Sequence, residues 1–178
     1  KYNSVHSVTI VDHDLNVIDL TIAAYPNRKH VLDDTRLNII QITYQEYLPS
    51  CKNRYDLIVN DCFDLYQVAK ITQIDYYSII ASLLTSEGVV SDLVYRSIYD
   101  EDFARNAINE IPSDMNRALS MLAVPEYPGT MHILTMWGKN INLNQGKTRS
   151  LNKRQECLLC SGVFQMYNPS FMEFYLYL

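Results

Sequence analysis

Apolar positions along the chain fall into short runs separated by helical spacings. Val8-Thr9-Ile10-Val11 reads as a buried strand that ends in Asp12-His13-Asp14. Leu15 to Tyr25 has the apolar spacing of a helix and stops at Pro26. Leu37 to Ile42 is rich in β-branched residues and predicts a second strand, followed by a turn of helix from Tyr44 to Leu48. Leu57-Ile58-Val59 predicts a third strand, ending at Asn60-Asp61. Asp75 to Leu84 has the period of an amphipathic helix, with Asp75 in its first turn. Glu87-Gly88 is expected to close that helix, and Val89-Val90 to begin a fourth strand. Tyr99 to Ile111 is helical again and ends at Pro112. Ala118 to Val124 and Met131 to Trp137 predict two more strands, joined by a turn from Pro125 to Gly129. The polar stretch from Asn140 to Asn152 reads as a loop, and Gln155 onward as a mixed tail with a final helix or strand.

Strand and helix alternate through most of this pattern. The fold class it implies is α/β, a mostly parallel sheet with helices on both faces. The short turn between the last two strands makes that pair antiparallel. The chain shows no internal repeat, no low-complexity segment and no linker dividing it into two domains.

Composition narrows the function classes. Of 178 residues, 48% are hydrophobic and 20% charged, which excludes a disordered chain and a collagen-like fibre. The formal net charge of -5 argues against general nucleic-acid binding, which needs a field of Lys and Arg. No apolar run reaches the roughly 18 residues of a membrane span, and the first residues lack a signal core. A cytoplasmic protein with no membrane partner is the expectation. The cysteines are Cys51, Cys62, Cys157 and Cys160. Cys157 and Cys160 form one C-x-x-C, which reads as structural thiols or, less simply, as metal or redox chemistry.

Ligands of open α/β sheets bind at the carboxyl ends of the strands, and acidic residues gather there. Asp12 and Asp14 end the first strand. An acid at this place holds the ribose hydroxyls of a nucleotide-like cofactor, and Asp14, just before Leu15, also suits helix capping. Asp61 and Asp64 follow the third strand in YDLIVNDCFDL. Two carboxylates three residues apart can converge on one cation or take a proton from an amine, and their repulsion raises one pKa. They also read as solvated surface acids. Asp100, Glu101 and Asp102 are explained by the start of a helix. His6, His13, His30 and His132 are scattered, with no metal-binding spacing. Neither a G-x-S-x-G elbow nor a phosphate-binding P-loop is present.

Four segments in order resemble the spermidine synthase family of polyamine aminopropyltransferases. SVTIVDHDLNVIDLTIAAYP is similar to the family's second strand and its helix, with Asp12 and Asp14 on the acid-x-Asp pair. YDLIVNDCFDL is similar to Y-D-x-I-x-x-D-x-x-D-P, with Asp61 and Asp64 on the two acids. VPEYPGTMHILTMWGKN resembles the V-P-x-Y-P segment, with Tyr127 on its tyrosine, and YNPSFMEFYLYL resembles the family ending.

The resemblance implies a Rossmann-like sheet of the S-adenosylmethionine-dependent methyltransferase type. Residues 1–178 would be the catalytic domain without the family's first strand, glycine-rich loop and N-terminal β-domain. It implies decarboxylated S-adenosylmethionine as co-substrate, methylthioadenosine as product, a polyamine such as putrescine as acceptor, no metal, and a homodimer. Asp61 would be the base, Asp64 and Tyr127 would hold the amine, and Asp12, Asp14 and Thr43 would line the cofactor site. Several positions depart from the family. Ile42-Thr43-Tyr44 stands where the family has G-D-G, Leu93 where it has a Gln, and Leu65 where it has a Pro. Two other readings stand beside this one. One is a non-catalytic, dimerising relative, and the other is a methyltransferase using S-adenosylmethionine itself.

Overall fold

A computed structural model describes residues 3–60, 65–97, 101–123 and 130–141. The chain divides into two compact units, Lys1–Lys52 and Asn53–Leu178.

In the first unit, β1 (Val8–Asp12) pairs in parallel with β2 (Leu37–Gln41), in register from Val8 opposite Leu37 to Asp12 opposite Gln41. The crossover runs through α1 (Asn16–Ala24) and a 3-10 helix, Pro26–Val31. Proline fits the first turn of that helix because its missing N–H would have had no partner there. Arg36 ties the unit together. Its Nε and Nη2 donate to Asp34 Oδ1 and Oδ2 at 2.9 and 2.7 Å, and its Nη1 donates to the carbonyl oxygen of Val5 at 2.9 Å. The turn ahead of β2 is thereby fixed to the segment ahead of β1. Val8, Ile10, Val17, Ile22 and Leu37 line an apolar groove of about 670 Å³.

α2 (Tyr44–Ser50) begins with a capping box. Thr43 Oγ1 accepts from the Glu46 N–H at 3.3 Å, and Glu46 Oε2 accepts from the Thr43 hydroxyl at 2.8 Å and its N–H at 3.4 Å. This arrangement occupies backbone donors that a helix start leaves without partners.

The second unit is a four-stranded sheet in the order β3-β4-β6-β5. β3 (Tyr55–Asn60) and β4 (Leu84–Ser97) are parallel. β6 (Thr130–Gly138) runs antiparallel to both β4 and β5 (Asn116–Ala123). α3 (Leu65–Thr72), α4 (Tyr76–Ser82) and α5 (Glu101–Asn109) complete it. Tyr76, Tyr77 and Ile80 of α4 are buried, as are Val90 and Trp137 of the sheet. The rings of Tyr77 and Trp137 lie 6.4 Å apart, and Tyr66 of α3 meets Phe103 of α5 edge-on at 5.1 Å. Lys70 and Glu110 close the same helix pair with a 2.6 Å ion pair. On the opposite face of β3, Leu57 and Val59 are 58% and 65% exposed.

The mixed sheet, with its antiparallel last pair, agrees with the alternation read from the sequence. Three local features differ. α3 is a helix where none was expected. Asp75 is the N-cap of α4, accepting from the Ser78 N–H at 2.9 Å, rather than a first-turn residue. Gly88 does not close that helix. α4 ends at Ser82 and β4 already begins at Leu84, so Gly88 lies inside the strand, where the β3–β4 register shifts. A β-carbon there would stand 2.7 Å from the carbonyl oxygen of Tyr55, so glycine is needed for close packing rather than for a turn. The expected turn from Pro125 to Gly129, and the tail from 142 onward, lie outside the described residues. No described helix is long and apolar enough to cross a membrane.

Candidate active site

The first unit brings Asp12, Asp14 and Thr43 to the carboxyl ends of β1 and β2. Asp12 is the last residue of β1, and its backbone carbonyl accepts from the Ile42 N–H at 3.2 Å, one residue before Thr43. The Asp12 side chain turns back on its own loop, where Oδ1 accepts from the Asp14 N–H at 2.9 Å. The same oxygen lies 3.5 Å from His13 Nδ1. Oδ2 accepts no hydrogen bond from the described residues, so this carboxylate is held in place by one oxygen while the other can serve a ligand.

Asp14 is likewise held through one oxygen, but by the start of the following helix. Its Oδ1 accepts from both the backbone N–H and the side-chain amide of Asn16, at 3.0 and 2.7 Å. Leu15, which stands at the N-cap, has no capping side chain. Asp14 therefore does the capping work from one position further out, the structural role its place in sequence allowed. Thr43 spends its hydroxyl within the capping box of α2.

In the second unit the parallel strand β3 ends at Asn60. Asp61 and Asp64, which follow it, lie outside the described residues, as does Tyr127. What the structure does describe is a row of polar side chains crossing three strands at that level. Asn60 pairs in register with Asp92, and Asp92 with Thr135. Asn60 Nδ2 donates to Asp92 Oδ1 at 2.7 Å, and the Thr135 hydroxyl donates to the Asp92 carbonyl oxygen at 3.2 Å. Asp92 and Thr135 are 2% and 0% exposed. Acids are almost never buried this fully without hydrogen-bonding or charged partners. Burial, followed by the negative charges of Asp92 and Glu110, pushes the Tyr77 phenol far above the usual tyrosine range.

The sequence reading missed Asp92. It sits in GVVSDLV, and a single acid inside an apolar strand run is the signal that marks it. Among the described residues no group of three or more His, Cys, Asp or Glu side chains converges as a metal site would require.

Residues 1–147 match the family model described as the spermine/spermidine synthase domain. The polyamine aminopropyltransferase of Caldicellulosiruptor saccharolyticus is 23% identical over 159 residues, which are 86% of this chain and 57% of that protein. The chain thus spans little more than half the length of this curated relative. A crystal structure of spermidine synthase with the transition-state analogue AdoDATO superposes with a TM-score of 0.67 at 21% identity, covering 98% of this chain and 61% of that one. The N-methyltransferase NodS of Bradyrhizobium japonicum gives a TM-score of 0.51 at 13% identity, over 74% of this chain and 73% of the other. The sheet is therefore of the type shared by aminopropyltransferases and methyltransferases.

Proposed function

The chain belongs to the spermine/spermidine synthase family, and from that premise we propose that it serves aminopropyl transfer from decarboxylated S-adenosylmethionine to putrescine or a related polyamine. The supporting observation is that the family match spans residues 1–147, a range that contains Asp12, Asp61, Asp64 and Tyr127. A transferable group and an acceptor amine are both small, so the protein's task is to bind them side by side.

The neutral amine nitrogen attacks the methylene carbon beside the sulfonium. A C–N bond forms as the C–S bond breaks, and methylthioadenosine leaves with the bonding electrons on sulfur. A free alkylammonium has a pKa of about 10.4, so the attacking nitrogen must first lose a proton. Asp61 takes that proton and orients the lone pair, Asp64 holds the cation, and Tyr127 braces the chain of the amine. Asp12 meets the ribose hydroxyls, with Asp14 shaping the loop beside it and Thr43 near the base. The reading includes a homodimer, as the resemblance implies, in a cytoplasmic setting.

The test is incubation with putrescine and either decarboxylated or intact S-adenosylmethionine, with the products weighed by mass spectrometry. A gain of one aminopropyl unit is expected with the decarboxylated donor. A gain of one methyl group with the intact donor would replace this reading by the methyltransferase one. The capping box favours a second reading, a non-catalytic relative. It commits the Thr43 hydroxyl to Glu46 at the position where the resemblance places the acid that meets adenine. Absence of methylthioadenosine binding is the result that reading expects.

A further inference from the structure

Asn60 is the last residue of β3 and the chain neighbour of Asp61, and its side chain lies in the row formed with Asp92 and Thr135. An amide can face a neighbour with either its nitrogen or its oxygen. An ionised carboxylate accepts hydrogen bonds and donates none. The 2.7 Å contact with Asp92 Oδ1 therefore selects the nitrogen as the inward atom and turns Oδ1 of Asn60 the other way. Asp92 is 2% exposed and cannot reach a ligand itself, whereas Asn60 is only half-buried. The Thr135 hydroxyl anchors the backbone of Asp92.

We infer that Asn60 is an amine-recognising residue, whose Oδ1 accepts a hydrogen bond from an N–H of an aliphatic amine or ammonium, and that Asp92 is the positioning residue that fixes the amide for this task. The inference rests on the reading of this chain as one that binds a polyamine. An amide oxygen has two acceptor sites, so it can take an amine alongside a protein donor. The hydrogen bond to Asp92 polarises the amide, since hydrogen bonds in a chain strengthen one another. The pair thus prefers a donor-rich ligand.

Calorimetric titration of putrescine into the chain, with methylthioadenosine present, tests this on four proteins: wild type, Asn60→Leu, Asp92→Leu and Asp92→Asn. Both leucine variants are expected to weaken putrescine binding roughly ten- to a hundred-fold, the loss that goes with one charge-assisted hydrogen bond. Methylthioadenosine affinity should stay within about twofold on the same scale. Asp92→Asn keeps an acceptor oxygen for Asn60 and should recover much of the affinity. Asp92→Leu binding putrescine as wild type does would overturn the inference, and so would equal losses for both ligands, which mark a merely structural role. If Asp92→Leu does not fold, Asn60→Leu and Asp92→Asn decide alone, and unchanged putrescine binding in Asn60→Leu overturns the inference. Wild-type protein that binds methylthioadenosine but no putrescine would sink the polyamine reading together with this inference. Putrescine binding that all the variants share would sink the inference alone.

Discussion

Gly138 packs so tightly on Gly88 that a β-carbon at position 138 would overlap the Gly88 carbonyl oxygen. The obstacle is backbone inside a sheet, which cannot swing aside as a side-chain tip can. Gly138→Ala is expected to destabilise the second unit by about 1–3 kcal/mol, the usual cost of overpacking. Urea denaturation followed by fluorescence of Trp137, the single tryptophan and fully buried, measures it.

Thr43 offers a test of structure against binding. Thr43→Ala removes the cap and should cost about 1 kcal/mol of stability. Thr43→Asp keeps a capping oxygen and adds a carboxylate. The lost hydroxyl donor and the new charge beside the Glu46 carboxylate are expected to lower stability by about 1 kcal/mol, with tighter methylthioadenosine binding read by calorimetry.

Asp61→Asn preserves shape and removes the base. Aminopropyl transfer should fall below detection by product mass, while Trp137 emission stays as in the wild type. Turnover within a few-fold of wild type would take Asp61 out of the mechanism.

Arg36 holds the Asp34 carboxyl well below the usual aspartate range, chiefly through the side-chain hydrogen bond between them. A depressed folded pKa stabilises the fold above the ordinary aspartate value of about 3.9. That contribution is lost only as pH falls through the lower, folded value. NMR titration of the Asp34 carboxyl carbon should show a midpoint below the ordinary one, returning to it in Arg36→Gln. Because the pair is only partly buried, the effect on overall stability should be small and weaken with salt.

Gln73, just past the end of α3, has φ of 56°, in the left-handed region that suits glycine. Gln73→Gly is expected to raise stability by up to about 1 kcal/mol, since relief of the backbone strain outweighs the added freedom of the unfolded chain. A lower urea midpoint in the variant would contradict this.

Period and β-branching made β1, β2 and the β5–β6 pair legible, because those runs are apolar and bounded by polar turns. α3 was not legible. Its sequence LYQVAKIT does gather Leu65, Val68 and Ala69 on one face, but it is only eight residues long and Ile71, on the other face, is apolar and 82% exposed, which blurs the period. Gly88 misled because glycine after a helical run usually ends it, whereas here the tightest demand comes from the carbonyl of Tyr55, a residue distant in sequence. The Thr43-x-x-Glu46 spacing announced the capping box in the sequence itself. Asp12 and Asp14 were legible as a pair, but only the contacts show that each is held through a single oxygen, Asp12 by the Asp14 N–H and Asp14 by Asn16. Asp92 stands out within its own apolar run, but its partners Asn60 and Thr135 emerge only from strand pairing, a relation no single segment carries.

The alternation in β3 has a consequence for how the chain avoids misfolding. Leu57 and Val59 are apolar on one face, and Ile58 is apolar on the other. Hydrophobicity alone therefore hardly distinguishes the native strand from one flipped over by a one-residue slip. Polar and steric checks must do so: only the native placement lets Asn60 meet Asp92, and only Gly88 tolerates the carbonyl of Tyr55. Loss of either check should appear as conformational heterogeneity, such as doubled resonances of the Trp137 indole, before it appears as a lower melting temperature. The residues around the carboxyl end of β3 would then act as proofreaders of the fold.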